Sequence, residues 1–213
     1  MRTRVKVCGI TRVGDALDAV EMGADAVGFI FYHGSRREAS QSVAREVAKR
    51  LPAFVTPVGV FVNADAPTIK SVAEETGIRA VQLHGREPMA LIASLTLPVI
   101  RVVRELDEQE LDSIGNMQGV SFLVDTADAQ EFGGTGRLSD WNVASRLKKW
   151  GPVILSGGLT AENVGEGIRS VQPYAVDVSS GVESEPGKKD IGKIAEFVQA
   201  VHQADLFRQG SVR

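Results

Sequence analysis

The chain has a single cysteine, Cys8, among its 213 residues, so no disulfide can form within it. Its formal net charge is −3 and it has no basic tract, so its charge pattern gives no reason to expect nucleic acid or an anionic membrane as a partner. No apolar run reaches membrane-spanning length, and the first residues lack the apolar core of a signal peptide. We therefore expect a cytoplasmic protein.

Histidine is also scarce. The chain contains three histidines, and we expect His33 and His202 to lie on the surface. No group of His, Cys, Asp and Glu has the sequence spacing of a metal site. The sequence therefore predicts no bound metal.

Short apolar runs alternate with helical patterns along the whole chain. The strand candidates are Arg4–Cys8, Ala26–Phe31, Val55–Val62, Ala80–His84, Val99–Val103, Val120–Asp125, Val153–Leu155 and Ala175–Val178. Helix starts are predicted at Asp65–Pro67 and Thr160–Glu162, and the fifth helix, around Glu108–Ile114, has the weakest pattern. Eight strand-then-helix units with no linker predict an α/β protein, a single-domain (β/α)8 TIM barrel over residues 1–213. An open doubly wound sheet is the main alternative, but its glycine-rich turn normally follows the first strand.

The glycine-rich loops of this chain come late instead. Gly157-Gly158 follows the seventh candidate strand, and Ser179-Ser180-Gly181 follows the eighth. Glycine lets backbone N–H groups approach an anion, and a helix N-terminus adds partial positive charge. Such barrels bind phosphate at these two loops, so we predict a phosphorylated small-molecule substrate. Gly133-Gly134, after the sixth strand, fits phosphate contact or a mobile cover over the site.

Strand alternation places polar side chains inside the barrel at the carboxyl ends of the strands, which form the active-site face. They are Cys8, His84, Asp125 and Asp177. A thiol and a carboxylate on opposite sides of the barrel could act as one base and one acid. Lys6 shares a face with Cys8 and is expected to pair with an interior carboxylate; its charge would also lower the pKa of the thiol.

Each of these residues also has a purely structural explanation. A lone cysteine is more often a small buried apolar residue than a catalyst. Asp125 could cap a turn, and His84 before Gly85 could belong to one. Arg36 and Arg37, after the second strand, could be an exposed charge pair, or one of them could hold a carboxylate through two hydrogen bonds.

Several segments together resemble the phosphoribosylanthranilate isomerase family, over nearly the whole chain. They are Val5–Thr11, Gly23–Phe29, Val58–Asn63, Val81–Gly85, Leu123–Thr126, Phe132–Gly136, Leu155–Val164, Val176–Glu183 and Pro186–Asp190. The resemblance implies an isomerase of tryptophan biosynthesis, which carries out the Amadori rearrangement of N-(5-phosphoribosyl)anthranilate to 1-(2-carboxyphenylamino)-1-deoxyribulose 5-phosphate. No cofactor is implied, because the anthranilate nitrogen supplies the iminium. The family includes monomers and dimers, so a monomer or a homodimer is expected.

The resemblance also implies roles for positions of this sequence. Cys8 matches the general base, Asp125 the general acid, and Arg37 the ligand of the anthranilate carboxylate. Further substrate-pocket positions are Gln82, His84 and Asp177. The phosphate-binding positions are Gly133, Gly134, Gly157, Gly158, Ser179, Ser180 and Gly181. The loop His33–Arg37 departs from the family's usual Pro-Lys-Ser pattern, so either Arg36 or Arg37 could meet the carboxylate.

Three other functions stay open. A flavin barrel would share the phosphate loops, but nothing obvious in the sequence holds an isoalloxazine ring. A non-catalytic phosphate-ligand binding barrel would explain the loops and the arginine, but not Cys8 and Asp125 at strand ends. A histidine-pathway phosphoribosyl isomerase has an acidic residue at each of two matching strand ends and a phosphate site in each half. Here the first strand ends in Cys8, and the first half has no comparable glycine-rich loop.

Overall fold

The eight apolar runs of the sequence form the parallel strands of a closed barrel. The computed structural model describes residues 2–105, 119–125 and 141–210. The strands are β1 Arg4–Cys8, β2 Ala26–Ile30, β3 Thr56–Phe61, β4 Ala80–Leu83, β5 Val99–Val103, β6 Ser121–Val124, β7 Val153–Leu155 and β8 Ala175–Val178. Each pairs with the next, and β8 pairs with β1. The (β/α)8 architecture is confirmed, and every strand end lies within one residue of its prediction.

Helices connect the strands in the predicted order. They are Val13–Glu21, Gln41–Arg50, Ala66–Thr76, Met89–Ser94, Trp141–Leu147, Val164–Val171 and Ile191–Gly210. The predicted fifth helix, Glu108–Ile114, lies outside the described residues, and the extent of the domain over residues 1–213 stays a prediction. Before the last helix the chain adds a 3-10 turn, Ser180–Val182, and an antiparallel hairpin of β9 Glu183–Glu185 and β10 Lys188–Lys189. The sequence pattern did not predict this hairpin.

Side-chain hydrogen bonds order the chain just before two of the helices. Asp65 precedes one helix as predicted, and its carboxylate accepts a hydrogen bond from the N–H of Thr68 at 2.9 Å. The predicted start signal Thr160–Glu162 lies just before its helix, which begins at Val164. Asn163 accepts from the N–H of Thr160 at 2.9 Å and donates to the carbonyl of Gly158 at 2.8 Å. A closed turn therefore occupies the segment between β7 and the helix.

The strands separate two apolar layers, as their alternation predicts. Outward-facing residues such as Val7, Val81 and Phe122 pack against the helices in the larger cluster. A smaller cluster fills the barrel, and its buried members are Val102, Leu123, Ile154 and Ala175. Residues two positions further along the same strand faces point to the same side, so polar side chains follow directly above three of them: Asp125 above Leu123, Ser156 above Ile154, and Asp177 above Ala175. The apolar cluster thus lies directly beneath the polar side chains at the carboxyl ends of the strands.

Candidate active site

A cavity of about 450 Å³ opens at the carboxyl ends of the strands. The predicted site residues that line it are Cys8, Arg37, Gln82, His84, Asp125, Gly157, Gly158, Asp177, Ser179 and Ser180. Gly181 lies beside it in the 3-10 turn, where a Cβ would lie 2.1 Å from the carbonyl oxygen of Leu159. Gly133 and Gly134 lie outside the described residues. The fold therefore gathers into one cavity side chains that are far apart in the sequence.

Cys8 ends β1 inside the barrel and is 5% exposed. Gly28 on β2 leaves room for it, because a Cβ there would lie 2.7 Å from the sulfur. Burial raises the pKa of the Cys8 thiol, the ammonium of Lys6 lowers it, and the carboxylate of Asp177 raises it. Lys6 thus lowers the pKa of the thiol as expected, but the net pKa is raised. Burial outweighs the neighbouring cation.

Lys6 pairs with Asp177 inside the barrel, which confirms the partner expected for it. Lys6 Nζ lies 2.7 Å from Asp177 Oδ1, and their side chains are 4% and 6% exposed. Burial by itself would lower the pKa of Lys6, but Asp177 and Cys8 outweigh it and the pKa is raised. Ser156 donates to the other oxygen of Asp177 at 3.3 Å. A charged lysine is thus held next to the thiol, and the carboxylate is held through both of its oxygens.

His84 lies between Gln82 and Asp125, and all three side chains are buried. Gln82 Nε2 is 3.0 Å from His84 Nδ1, and His84 Nε2 is 3.2 Å from Asp125 Oδ2. The second approach is not aligned as a hydrogen bond, since Nε2 has no hydrogen-bond partner in the part of the chain that the structure describes. The structure therefore brings His84 against the predicted acid, beyond any role it has in a turn.

Arg37 is held by a buried carboxylate that the sequence analysis did not single out. Arg37 Nε donates to Glu183 Oε1 at 2.9 Å and Nη2 donates to Oε2 at 2.8 Å, a two-point pairing. Lys189 Nζ donates to the same Oε1 at 2.8 Å and to the carbonyl of Ser179 at 3.1 Å. The guanidinium plane of Arg37 is thereby fixed at the cavity wall, whereas Arg36 lies exposed at the same wall.

The neighbouring cations stabilise the Glu183 carboxylate in its ionised form. Burial alone would raise the pKa of Glu183, but the hydrogen bonds from Arg37 and Lys189 hold it below its ordinary value of 4.5. Burial lowers the pKa of Lys189 in spite of the opposing carboxylate. The Glu183 carboxylate therefore compensates two cations, one of them nearly fully enclosed.

Glu183→Gln is expected to lower the free energy of unfolding by about 3 kcal/mol, because it leaves the buried Lys189 ammonium without a carboxylate. The pKa of Glu183 is lower in the folded state than in the unfolded state. Its contribution to the free energy of unfolding is therefore present above the unfolded-state pKa and is lost as pH falls through the folded-state pKa. In urea titrations the difference from wild type should therefore shrink as pH falls below 4.5.

Glu185→Gln is the matched control on the same hairpin. Glu185 makes an exposed ion pair with Lys188 at 3.3 Å, so its loss should cost less than about 0.5 kcal/mol. Equal destabilisation by the two substitutions would contradict the role given to Glu183.

The loops after β7 and β8 meet on one side of the cavity. Gly157 and Gly158 have φ values of +81° and +64°, a left-handed conformation that glycine adopts without steric cost. Ser179 Oγ is buried without a hydrogen-bond partner in the described structure, and Ser180 begins the 3-10 turn. Glycine amides, an unsatisfied hydroxyl and a helical turn that begins at the cavity are suited to binding an anion.

Sequence reasoning missed Glu183, Lys189 and Ser156 as parts of the site. Glu183 and Lys189 lie within segments that carry the family resemblance, but nothing in the linear sequence pairs Glu183 with Arg37, 146 positions earlier. The available signal was weak: a carboxylate directly after the apolar Val182, with two lysines a few residues later. A pairing of this kind becomes visible only when the barrel is closed.

Two observations bear on metals and membranes. In the ranges 2–105, 119–125 and 141–210, no three His, Cys, Asp or Glu side chains are grouped so that they could hold a metal ion. No helix in those ranges combines the length and the apolar character needed to cross a membrane. The predicted absence of a metal stays a prediction.

A closed parallel barrel with ionisable side chains at the carboxyl ends of its strands places this protein among the (β/α)8-barrel enzymes. Residues 5–200 match the family model described as N-(5'phosphoribosyl)anthranilate (PRA) isomerase. The chain belongs to the N-(5'-phosphoribosyl)anthranilate isomerase family, as the resemblance in its motifs indicated.

Individual relatives agree over almost their whole length. The N-(5'-phosphoribosyl)anthranilate isomerase of Geobacter metallireducens is 45% identical over 196 residues, which cover 92% of this chain and 97% of that protein. The crystal structure of phosphoribosyl anthranilate isomerase from Thermotoga maritima is 42% identical, with a TM-score of 0.85 and coverage of 94% and 99%. A related crystal structure, with a TM-score of 0.82 and the same identity and coverage, contains reduced 1-(o-carboxyphenylamino)-1-deoxyribulose 5-phosphate. The Thermotoga enzyme is also described as dimeric.

Proposed function

We propose that this protein catalyses the Amadori rearrangement of N-(5'-phosphoribosyl)anthranilate to 1-(2-carboxyphenylamino)-1-deoxyribulose 5-phosphate, a step of tryptophan biosynthesis. The observation that carries the proposal is the placement of Cys8 and Asp125 in one cavity. They extend β1 and β6, which are not neighbours in the barrel, so the two groups approach a bound sugar from different sides. Family membership supports the same reaction.

In the proposed reaction, protonated Asp125 donates its proton to the ribose ring oxygen as the bond between that oxygen and C1 breaks. The anthranilate nitrogen lone pair forms the iminium, so no cofactor is required. Cys8, as thiolate, removes the proton from C2, and the electrons of that C–H bond form the enolamine. The enolamine then tautomerises to the ketone. An acid and a base of this kind must hold opposite protonation states in the same complex.

For Cys8, the neighbouring Lys6 favours the form that this demand requires. The raised pKa of the buried thiol favours the neutral form in the free protein. The Lys6 ammonium lies on the same strand, β1, and lowers this pKa. It therefore stabilises the thiolate once the proton has left. We propose that Lys6 serves this purpose as well as pairing with Asp177.

The two anionic ends of the substrate have separate partners in the proposal. The phosphate binds at Gly157-Gly158 and Ser179-Ser180, where an unsatisfied serine hydroxyl faces the cavity. Arg37 binds the anthranilate carboxylate, because Glu183 fixes the plane of its guanidinium. Gly133-Gly134 and Gly181 stay phosphate-binding candidates from the sequence. A cytoplasmic location and a monomeric or homodimeric state likewise stay predictions.

Arg37→Ala is expected to raise KM by at least about tenfold with a smaller change in kcat, because a charged two-point contact to the substrate is lost. Arg36→Ala, at the exposed neighbour, should change KM by less than about twofold. Steady-state kinetics of both variants decide the assignment. A raised KM in Arg36→Ala beside an unchanged one in Arg37→Ala would transfer the carboxylate to Arg36.

The proposed reaction is tested by fluorescence. Phosphoribosylanthranilate is generated in the cuvette from anthranilate, and the loss of its emission is followed after the protein is added. Rapid loss that scales with protein concentration supports the proposal. An unchanged signal with folded protein rejects it, and the histidine-pathway substrate and simple phosphate-ligand binding become the next functions to measure.

A further inference from the structure

The inward face of β4 carries two buried polar side chains in succession, Gln82 and His84, which are 1% and 7% exposed. The amide nitrogen of Gln82 lies 3.0 Å from Nδ1 of His84. An amide nitrogen donates hydrogen bonds and has no lone pair with which to accept them. With the amide in this orientation Nδ1 is the acceptor, and a neutral His84 ring carries its proton on Nε2.

The protonated nitrogen faces the predicted acid. His84 Nε2 lies 3.2 Å from Asp125 Oδ2, and it is buried without a hydrogen-bond partner among the described residues. A small rotation of the ring or the carboxyl group would turn this approach into a hydrogen bond. Catalytic hydrogen bonds are often misaligned in a structure without substrate and become aligned in the reacting complex.

The backbone of His84 is anchored as well as its ring. Arg104, just after β5, donates from Nη2 to the carbonyl oxygen of His84 at 3.1 Å. The ring is thus held by Gln82 and the main chain by Arg104, which leaves Nε2 as the part of the residue that can respond to Asp125. A residue that only completed a turn would not require a second buried side chain to orient its ring.

We propose that His84 is a positioning residue for Asp125, and that Gln82 fixes His84 in the Nε2–H tautomer. When Asp125 gives its proton to the substrate, the His84 N–H donates to the new carboxylate at Oδ2 and stabilises it. The inference rests on the proposed function. It also changes the roles that the resemblance implied: Gln82 and His84 act on Asp125 and are not ligands of the substrate.

The tautomer can be measured on the free protein by 15N NMR of the histidine rings. The chain has three histidines, and the exposed His33 and His202 are distinguished from His84 by the spectrum of His84→Asn. The wild type is expected to show Nε2–H at His84. Gln82→Met, which keeps the side chain's bulk and removes the donor, should abolish this preference. A wild-type spectrum of Nδ1–H or of the imidazolium form overturns the inference.

Kinetics test the effect on the reaction. Gln82→Met and His84→Asn are expected to lower kcat about tenfold while KM changes less than about twofold, since the lost interaction forms only as charge develops on Asp125. His33→Asn, whose ring is fully exposed beside Glu38, is the control and should match the wild type. Raised KM with unchanged kcat would make both residues substrate ligands and overturn the inference.

A second substitution guards against a variant that fails to fold. Gln82→Glu keeps the shape of the side chain and, when ionised, presents only acceptors to the ring, so it should place the proton of a neutral His84 on Nδ1 and lower kcat by a similar factor. Unchanged kcat with a reversed tautomer overturns the catalytic part. If the wild-type protein does not turn over phosphoribosylanthranilate, the proposed function fails, and the proposed effect of His84 on Asp125 fails with it. The 15N spectrum still decides the tautomer of His84, because it does not depend on turnover.

Discussion

Cys8→Ala is expected to lower kcat by at least about a hundredfold while the fold is kept, the usual loss when a general acid or base is removed. The substitution takes away the only group on β1 that can accept a proton at the cavity, since Lys6 is charged and paired with Asp177. Alanine is smaller than cysteine and the position adjoins Gly28, so overpacking is not expected. Fluorescence turnover and circular dichroism of the same preparation measure both effects.

The ionisation of Cys8 gives a control that does not depend on turnover. Because the pKa of the buried thiol is raised above 9.0, its alkylation by iodoacetamide should accelerate only at pH values above those of an ordinary cysteine. Lys6→Met removes the cation that lowers this pKa and should move the profile to still higher pH. Near-normal turnover in Cys8→Ala would reject Cys8 as the base, whatever its alkylation profile.

The barrel itself could be predicted from the sequence because its signals are local. Each strand is a short apolar run between polar turns. Period-two alternation predicts that Leu123 and Asp125 lie on one face of the sixth strand and that Phe122 and Val124 lie on the other. The structure places Leu123 in the interior cluster and its two neighbours in the outer one. The residues gathered at the carboxyl ends follow from the same alternation.

What could not be predicted depends on contacts between distant segments. The hairpin that presents Glu183 to Arg37 has only five residues in strands, too few for a periodic pattern. The net pKa of Cys8 is a balance between burial and the opposing charges of Lys6 and Asp177, and the sequence does not give the depth of burial. The third glycine-rich loop, at Gly133-Gly134, lies outside the described residues and stays a prediction.

The contact between Gln82 and His84 is an intermediate case. Two residues at positions i and i+2 of a strand lie on the same face, so their proximity was implicit in the sequence. The direction of the hydrogen bond and the approach of His84 to Asp125 were not implicit, because Asp125 arrives from β6, which is not adjacent to β4 in the barrel. Only the closed barrel brings Gln82 and His84 of β4 close to Asp125, which follows β6.

Asp125→Asn is expected to lower kcat by at least about a hundredfold with KM within about threefold of wild type. Asparagine has the shape of aspartate and keeps an oxygen that His84 Nε2 can reach, but it has no acidic proton to give to the ribose ring oxygen. The side chain is 5% exposed, so water cannot readily replace it as the acid. Turnover and substrate affinity should therefore separate in this variant.

Asp65→Asn is a matched control for that result, because Asp65 caps a helix from an exposed position and asparagine caps helices equally well. It should leave kcat and KM unchanged. Asp125→Asn with near-normal kcat would remove Asp125 as the acid. Ring opening would then have to draw its proton from elsewhere in the cavity, and the proposed roles of His84 and Gln82 would fail with it, since both act on the reaction only through the carboxylate of Asp125.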